Sequence, residues 1–372
     1  MPNGNKNKIG WNLTKVFLTY GTLISPLGKD EEEHFLAFKK NRSGVRLMEG
    51  AGFDGKSWCL SAFDTKDKIT YDRLLQHTIN QVLAKCPVDI HPSKRIAVVL
   101  STTKANVLPD VSSAFDSSRK MIESSFPEGT DVTIVSNACI SGVIAINIAA
   151  DYIRSDKFDA VCVIGIDVLW DFVVYGFQSL FALSDEACRP YDSQRKGINI
   201  GEAAGAVWLT NKVPNRFFVE YLGGASSNDA NHISGPSRTG EGLYRAVYRA
   251  MKRSNISAND IDFISAHGTA TLYNDNMESI AFDRLGLSNI PLNSMKGYFG
   301  HTLGAAGVIE VVMSMLSMEH GMLFQSLGYN KNGTDAHVNV ITENKHMPVN
   351  TVLKTASGFG GGNAALLLRS KS

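Results

Sequence analysis

Two stretches of this 372-residue chain are apolar around the full circumference that a helix would present: ISGVIAINIAA at 140–150 and AAGVIEVVMSMLSM at 305–318. A helix at a protein surface shows one polar face. Neither stretch does, so both are expected to be covered on every side, with layers of structure above and below them. Each follows a strand-like run and a short loop, and each begins with small residues. The pattern suggests a duplicated architecture in which each half supplies one central helix. The polar, proline-containing NKVPN at 211–215 is the candidate junction, giving halves 1–213 and 214–372.

Short apolar runs at 95–101, 132–136, 160–166, 204–209, 217–222, 261–265, 291–294, 352–356 and 364–368 read as strands. Helical patterns fall between them at 140–154, 241–253, 276–285 and 305–319. This alternation predicts an α/β fold with helices covering a mostly parallel sheet. Runs such as AVVL and AVCVI are apolar on both faces, as a sheet sandwiched between helices requires. Residues 102–130 and 323–350 carry no readable pattern.

Composition excludes several classes. Lys plus Arg number 37 against 36 Asp plus Glu, so the basic excess of a nucleic-acid binder is missing. The five cysteines are odd in number and include no C-x-x-C pair, which argues against a disulfide framework or a structural zinc site. The opening MPNGNKNKIG lacks the apolar core of a signal peptide, and no uncharged apolar run of about 18 residues is present. The expectation is a cytoplasmic protein without a membrane span.

Ligands of α/β sheets bind beyond the carboxyl ends of strands. Four loops at such ends carry reactive groups: VSNACISG around Cys139, ISAHGTAT around His267, NSMKGYFGHTLGAAG around His301, and TASGFGGGN around Phe359. Cys139 precedes a buried helix, whose unpaired N–H groups favour a thiolate nucleophile. Read alone, a cysteine is more often a small buried hydrophobe, as Cys162 within AVCVIG looks to be. A neutral imidazole at His267 or His301 can donate to an oxygen gaining charge, although each alone could be a structural histidine. Glu310, inside the second apolar stretch, is costly to bury without a partner, and Lys296 is a candidate. Cys139, His267 and His301 are metal-ligand types but lack metal-site spacing. Gly358–Gly362 does not match a dinucleotide loop.

Taken together, YGTLISPLG, NACISG, RPYDSQRKGINIGEAAGAVWL, HGTATLYND, KGYFGHTLGAAGVIE and GFGGGN resemble, in order and spacing, the β-ketoacyl-[acyl-carrier-protein] synthases of the thiolase superfamily. The resemblance runs from about residue 13 to the C-terminus. It implies a five-layered αβαβα fold of two pseudo-duplicated halves, the first carrying the nucleophile and the second both histidines. It also implies an acyltransferase, a 3-oxoacyl-[acyl-carrier-protein] synthase of fatty-acid or polyketide/polyene-type synthesis. By that resemblance Cys139, His267, His301 and Lys296 would be catalytic, with Glu310 and Phe359 supporting the site. Phe359 would gate the acyl pocket and share an oxyanion hole with Cys139. Thr269, Thr271 and Ser234 would bind the pantetheine arm. No cofactor is implied beyond the phosphopantetheine of an acyl-carrier protein, and the chain would form a homodimer or a heterodimer with a related subunit. Departures are GEAAG for the usual G-E-G-A-G, Ser357 in place of a second Phe, and a short segment before Cys139. The rival is a non-condensing partner subunit of the chain-length-factor type. A thiolase is disfavoured because His301 stands where thiolases resemble one another in a second Cys.

Overall fold

The computed structural model describes residues 14–64, 69–87, 94–107, 110–229 and 235–370. Among the described residues the large sheet has eleven strands; apart from a two-residue edge strand at Asn339–Val340, they fall into two sets of five. The first set is β1 (Val16–Ile24), β2 (Ile96–Ser101), β3 (Asp131–Val135), β4 (Ala160–Asp167) and β5 (Ala203–Thr210). The second is β6 (Val219–Asn228), β7 (Phe263–Ser265), β8 (Pro291–Asn293), β9 (Thr351–Gly358) and β10 (Gly362–Ser370). Their orders repeat: β1-β5-β4-β2-β3 and β6-β10-β9-β7-β8. Their directions repeat as well. In each set the first and fifth strands, and the fifth and fourth, run antiparallel, while the fourth, second and third are parallel. The sets join where Val16–Leu18 of β1 pairs antiparallel with 219–221 of β6.

The sheet is therefore mixed rather than mostly parallel. The connection from β9 to β10 is only the turn Phe359–Gly361, and parallel neighbours need a crossover of a dozen or more residues. Strand β1 escaped the sequence reading because Gly21 and Thr22 interrupt its apolar run. The pairing with β5 shifts register at that point, between Tyr20 and Thr22.

Two central helices, Ser141–Arg154 and Ala306–His320, touch strands of both sets and so lie between them. Every residue from Ala306 through Met318 is buried. Three apolar clusters define five layers. One cluster surrounds the central helices; a second lies between β2, β4, β5 and the helices Tyr71–Leu83 and Ala114–Ser125; a third lies between β7, β9, β10 and the helices Glu241–Ser254 and Leu272–Arg284. This is the αβαβα arrangement.

The central helices meet at backbone distance. A Cβ on Gly142 would lie 2.9 Å from the Gly307 Cα, and one on Gly307 would lie 2.6 Å from the Val143 backbone nitrogen. That crossing sets the helix N-termini, and the loops leading into them, side by side. Among the described residues no helix is long and apolar enough to cross a membrane.

Candidate active site

Cys139 is held at a tight elbow between β3 and the first central helix. Ala138 adopts φ 44°, a left-handed conformation that costs a non-glycine residue energy and needs support from its surroundings. Ser141 gives that support: its Oγ accepts from Asn137 N–H at 2.7 Å and donates to the Ala138 carbonyl at 2.6 Å. The helix begins at Ser141 with Ile140 as its cap, so Cys139 stands just ahead of the first turn rather than inside it. Burial pushes the thiol up to about 12, against the opposing pull of Lys296 and of the Phe359 and Cys139 backbone N–H groups. The thiolate expected from the helix N-terminus is thus not the resting form. Here desolvation outweighs the dipole, and the proton leaves only when the sulfur is used.

The loop after β9 closes on the same spot. A Cβ at Gly358 would approach the Cys139 backbone nitrogen to 3.1 Å. The N–H groups of Cys139 and Phe359 therefore converge beside the sulfur, as donors to a developing oxyanion must.

His267 and His301 lie 5.1 Å apart between ring centroids, edge to face. The His301 Nδ1 accepts from Leu303 N–H at 3.3 Å, which leaves the proton on Nε2. Among the described residues Nε2 has no hydrogen-bond partner, nor does Nδ1 of His267. Both rings are held well below the usual histidine value, first by burial and next by the Lys296 charge. They are neutral donors across the physiological range.

The backbone around each ring is pinned from elsewhere. His301 N–H donates to Asn199 O at 2.6 Å, and Gly201 N–H donates to His301 O at 2.9 Å. This is what the RPYDSQRKGINIGEAAG segment does. Glu278 accepts from the N–H groups of His267 at 2.9 Å and Gly268 at 2.6 Å, and from the Tyr191 hydroxyl at 2.9 Å. Asp275 accepts from Thr269 N–H at 3.0 Å and Tyr191 N–H at 2.7 Å.

Below the histidines sits a sealed charge cluster. Glu310 Oε1 pairs with Lys296, as the sequence suggested, and Oε2 lies 2.6 Å from Lys354 Nζ. Burial pushes the Glu310 carboxyl upward, but the two ammonium groups overcome it and hold it below its ordinary value.

A cavity of about 850 Å³ brings the parts together. Cys139, His267, His301, Thr269, Thr271 and Phe359 all line it. The Thr269 and Thr271 hydroxyls are 2.8 Å apart, and Phe359, partly exposed, packs against Phe177 at 5.4 Å. Ser357 also lines it, its Oγ turned to Asn363 Oδ1 at 2.8 Å. Ser234 lies outside the described residues. Asp275, Glu278 and Lys354 were missed from sequence. Asp275 closes the HGTATLYND stretch, but Glu278 lies three residues beyond it and carried no local signal. Among the described residues, no group of three His, Cys, Asp or Glu could hold a metal ion.

Residues 128–214 match the model of the β-ketoacyl synthase N-terminal domain, and 219–330 that of its C-terminal domain. A 3-oxoacyl-[acyl-carrier-protein] synthase 2 from Rhizobium meliloti is 34% identical over 63% of this chain and 60% of its own length. The tetracenomycin polyketide synthase ketoacyl synthase alpha subunit of Streptomyces glaucescens is 31% identical over 64% and 60%. The chain thus spans about 60% of the length of the curated relatives it matches. A chain of the complex between the ketosynthase ApeO and its chain length factor ApeC from Xenorhabdus doucetiae superimposes with a TM-score of 0.84 at 25% identity, covering 96% of this chain and 98% of that one. With the fold, the motifs and both domain matches in agreement, the chain belongs to the β-ketoacyl synthase family of the thiolase superfamily.

Proposed function

We propose that the chain is a 3-oxoacyl-[acyl-carrier-protein] synthase, performing decarboxylative Claisen condensation in fatty-acid or polyketide-type synthesis. The observation that carries this is one cavity lined by a buried thiol and two neutral histidines. In the first half-reaction the Cys139 sulfur attacks an acyl thioester. The tetrahedral oxyanion is met by the N–H groups of Cys139 and Phe359, and the carrier leaves as its thiol with the proton that Cys139 gives up.

In the second half-reaction a malonyl thioester takes the vacated cavity. Its carboxylate departs as carbon dioxide, and the electron pair flows into an enolate whose oxygen accepts from the histidines. Neutral rings suit this step, because an imidazolium would protonate the carbanion. The enolate attacks the acyl-Cys139 carbonyl, the carbon–sulfur bond breaks to release the β-ketoacyl thioester, and the Cys139 thiolate takes a proton from water.

By the same proposal Lys296 belongs to the catalytic set, Glu310 and Phe359 support the site, and Thr269 and Thr271 hold the pantetheine arm of an acyl-carrier protein, the only carrier group required. Residues 1–213 and 214–372 act as the two halves of the enzyme. The partner is an acyl-carrier protein, and the assembly is a homodimer or a heterodimer with a related subunit. The ketosynthase–chain length factor complex among the structural neighbours supports the latter arrangement. The test is mass spectrometry of the chain after incubation with a panel of acyl-carrier proteins. An adduct on Cys139 that is absent from Cys139→Ala is expected. Condensation that persists at full rate in Cys139→Ala overturns the reading, and absence of any adduct favours the non-condensing partner subunit.

A further inference from the structure

Strand β9, TVLKTASG, is buried along its length except at its last residue, and Lys354 is its one charged residue. A sealed ammonium is expensive in a protein interior. The Glu310 carboxylate already has Lys296 on Oε1, so neutralising that acid needs no second lysine. Lys354 nevertheless lies 2.6 Å from Oε2, and its Nζ also donates to the Ser265 carbonyl at 3.1 Å and the Ala266 carbonyl at 3.5 Å. Those carbonyls belong to the last residue of β7 and the residue after it, immediately ahead of His267.

We propose that Lys354 is a positioning residue of the condensation site: it ties the Glu310 cluster to the strand end that carries His267 and gives that cluster a second positive charge behind the histidine pair. With both lysines protonated and Glu310 ionised, the cluster carries one net positive charge. That charge faces the place where the proposed enolate forms, and it works at full strength because water is excluded. This rests on the condensation reading for its purpose, though not for its geometry.

The charged and titratable groups around it are few. Lys354 faces Glu310 from the second central helix, Lys296 from the turn after β8, and Glu278 from the helix Leu272–Arg284. Each histidine is pushed down by burial, then by Lys296, and further by Lys354. His267 also responds to His301.

The test compares the unsubstituted 372-residue chain with Lys354→Met and Lys354→Gln. The glutamine variant leaves Lys296 and Glu310 as a neutral pair and keeps a donor for the carbonyls, so it folds even where the methionine variant does not. Carbon-13-labelled histidine, with signals assigned through His267→Asn and His301→Asn, is followed by NMR across pH. In the glutamine variant both rings should titrate at higher pH than in the wild type, because one of the positive charges that disfavour the imidazolium is gone. Decarboxylation of a malonyl thioester should lose roughly tenfold or more in kcat with little change in KM. Unchanged histidine titration in folded Lys354→Gln overturns the proposal. A wild type that decarboxylates nothing overturns the condensation reading instead, and the titration, which needs no turnover, still decides the case for Lys354.

Discussion

Replacing Glu310 with Gln removes the anion from between two ammonium groups that are both wholly buried. At an effective dielectric constant of about 20, an ion pair at 2.6 Å carries roughly 6 kcal/mol of gross Coulomb energy. The net loss is smaller, because the wild-type pair already bears a desolvation cost; breaking a buried pair typically costs about 3–5 kcal/mol. A ceiling follows from proton chemistry. An uncompensated lysine can shed its proton, and moving its pKa from about 10.4 to 7 costs about 4.6 kcal/mol. Lys354, already held below its ordinary value chiefly by burial, is the one to yield. The depressed folded-state pKa also sets the sign of the pH dependence. The unfolded chain binds more protons than the folded variant below about pH 10, so the variant regains stability as pH rises, by about 1.4 kcal/mol per unit. Urea unfolding of Glu310→Gln should therefore show a deficit of about 3–5 kcal/mol at pH 7, shrinking by roughly 2–3 kcal/mol at pH 9. A deficit under about 1 kcal/mol, or one that does not change with pH, would refute the buried triad as drawn.

Three further outcomes can be checked. Gly307→Val should push the central helices apart, costing about 1–3 kcal/mol or more and lowering soluble yield and melting temperature together, since its Cβ would come within 2.6 Å of the Val143 nitrogen. His301→Asn should lower malonyl-thioester decarboxylation by roughly 10²–10³-fold while leaving acyl loading of Cys139 largely intact, as loading by mass spectrometry would report. Because both histidines are neutral well below their ordinary pKa, decarboxylation should hold its rate as pH falls from 7.5 to 6. A rate that halves near pH 6.5 would show that one ring titrates normally.

Much of the site was legible because its residues punctuate strong local patterns. Cys139 and His301 stand out in glycine-containing loops that each lead into an apolar helix, and Glu310 stands out as the one charged residue in the stretch 305–318. Lys354 gave no such signal. A single lysine in a strand reads as a solvent-facing residue, because alternation cannot distinguish an exposed face from one sealed against an acid of another element. The helix Ala114–Ser125 was invisible for a different reason. Its buried positions are Ala114, Ser118 and Ile122, spaced as a helix requires but with a single large apolar side chain among them. The helix Tyr71–Leu83 buries Tyr71, Leu74, Leu75, Thr78, Ile79 and Val82; this is a regular stripe that the reading passed over.

Side-chain polarity and periodicity act over a few turns of chain, so the linear order of residues was enough to mark the two central helices as buried and most of the strands as strands, though not β1 or the helices Tyr71–Leu83 and Ala114–Ser125. It could not settle what faces what across a large separation in sequence. Residues 139 and 301 become neighbours because two glycines let the central helices touch backbone to backbone, and Glu310 meets Lys354 because the second set of strands packs over that crossing. Those contacts arise from fitting whole layers together. The charges behind the histidines, and the protonation state of the thiol, were therefore decided by the tertiary structure alone.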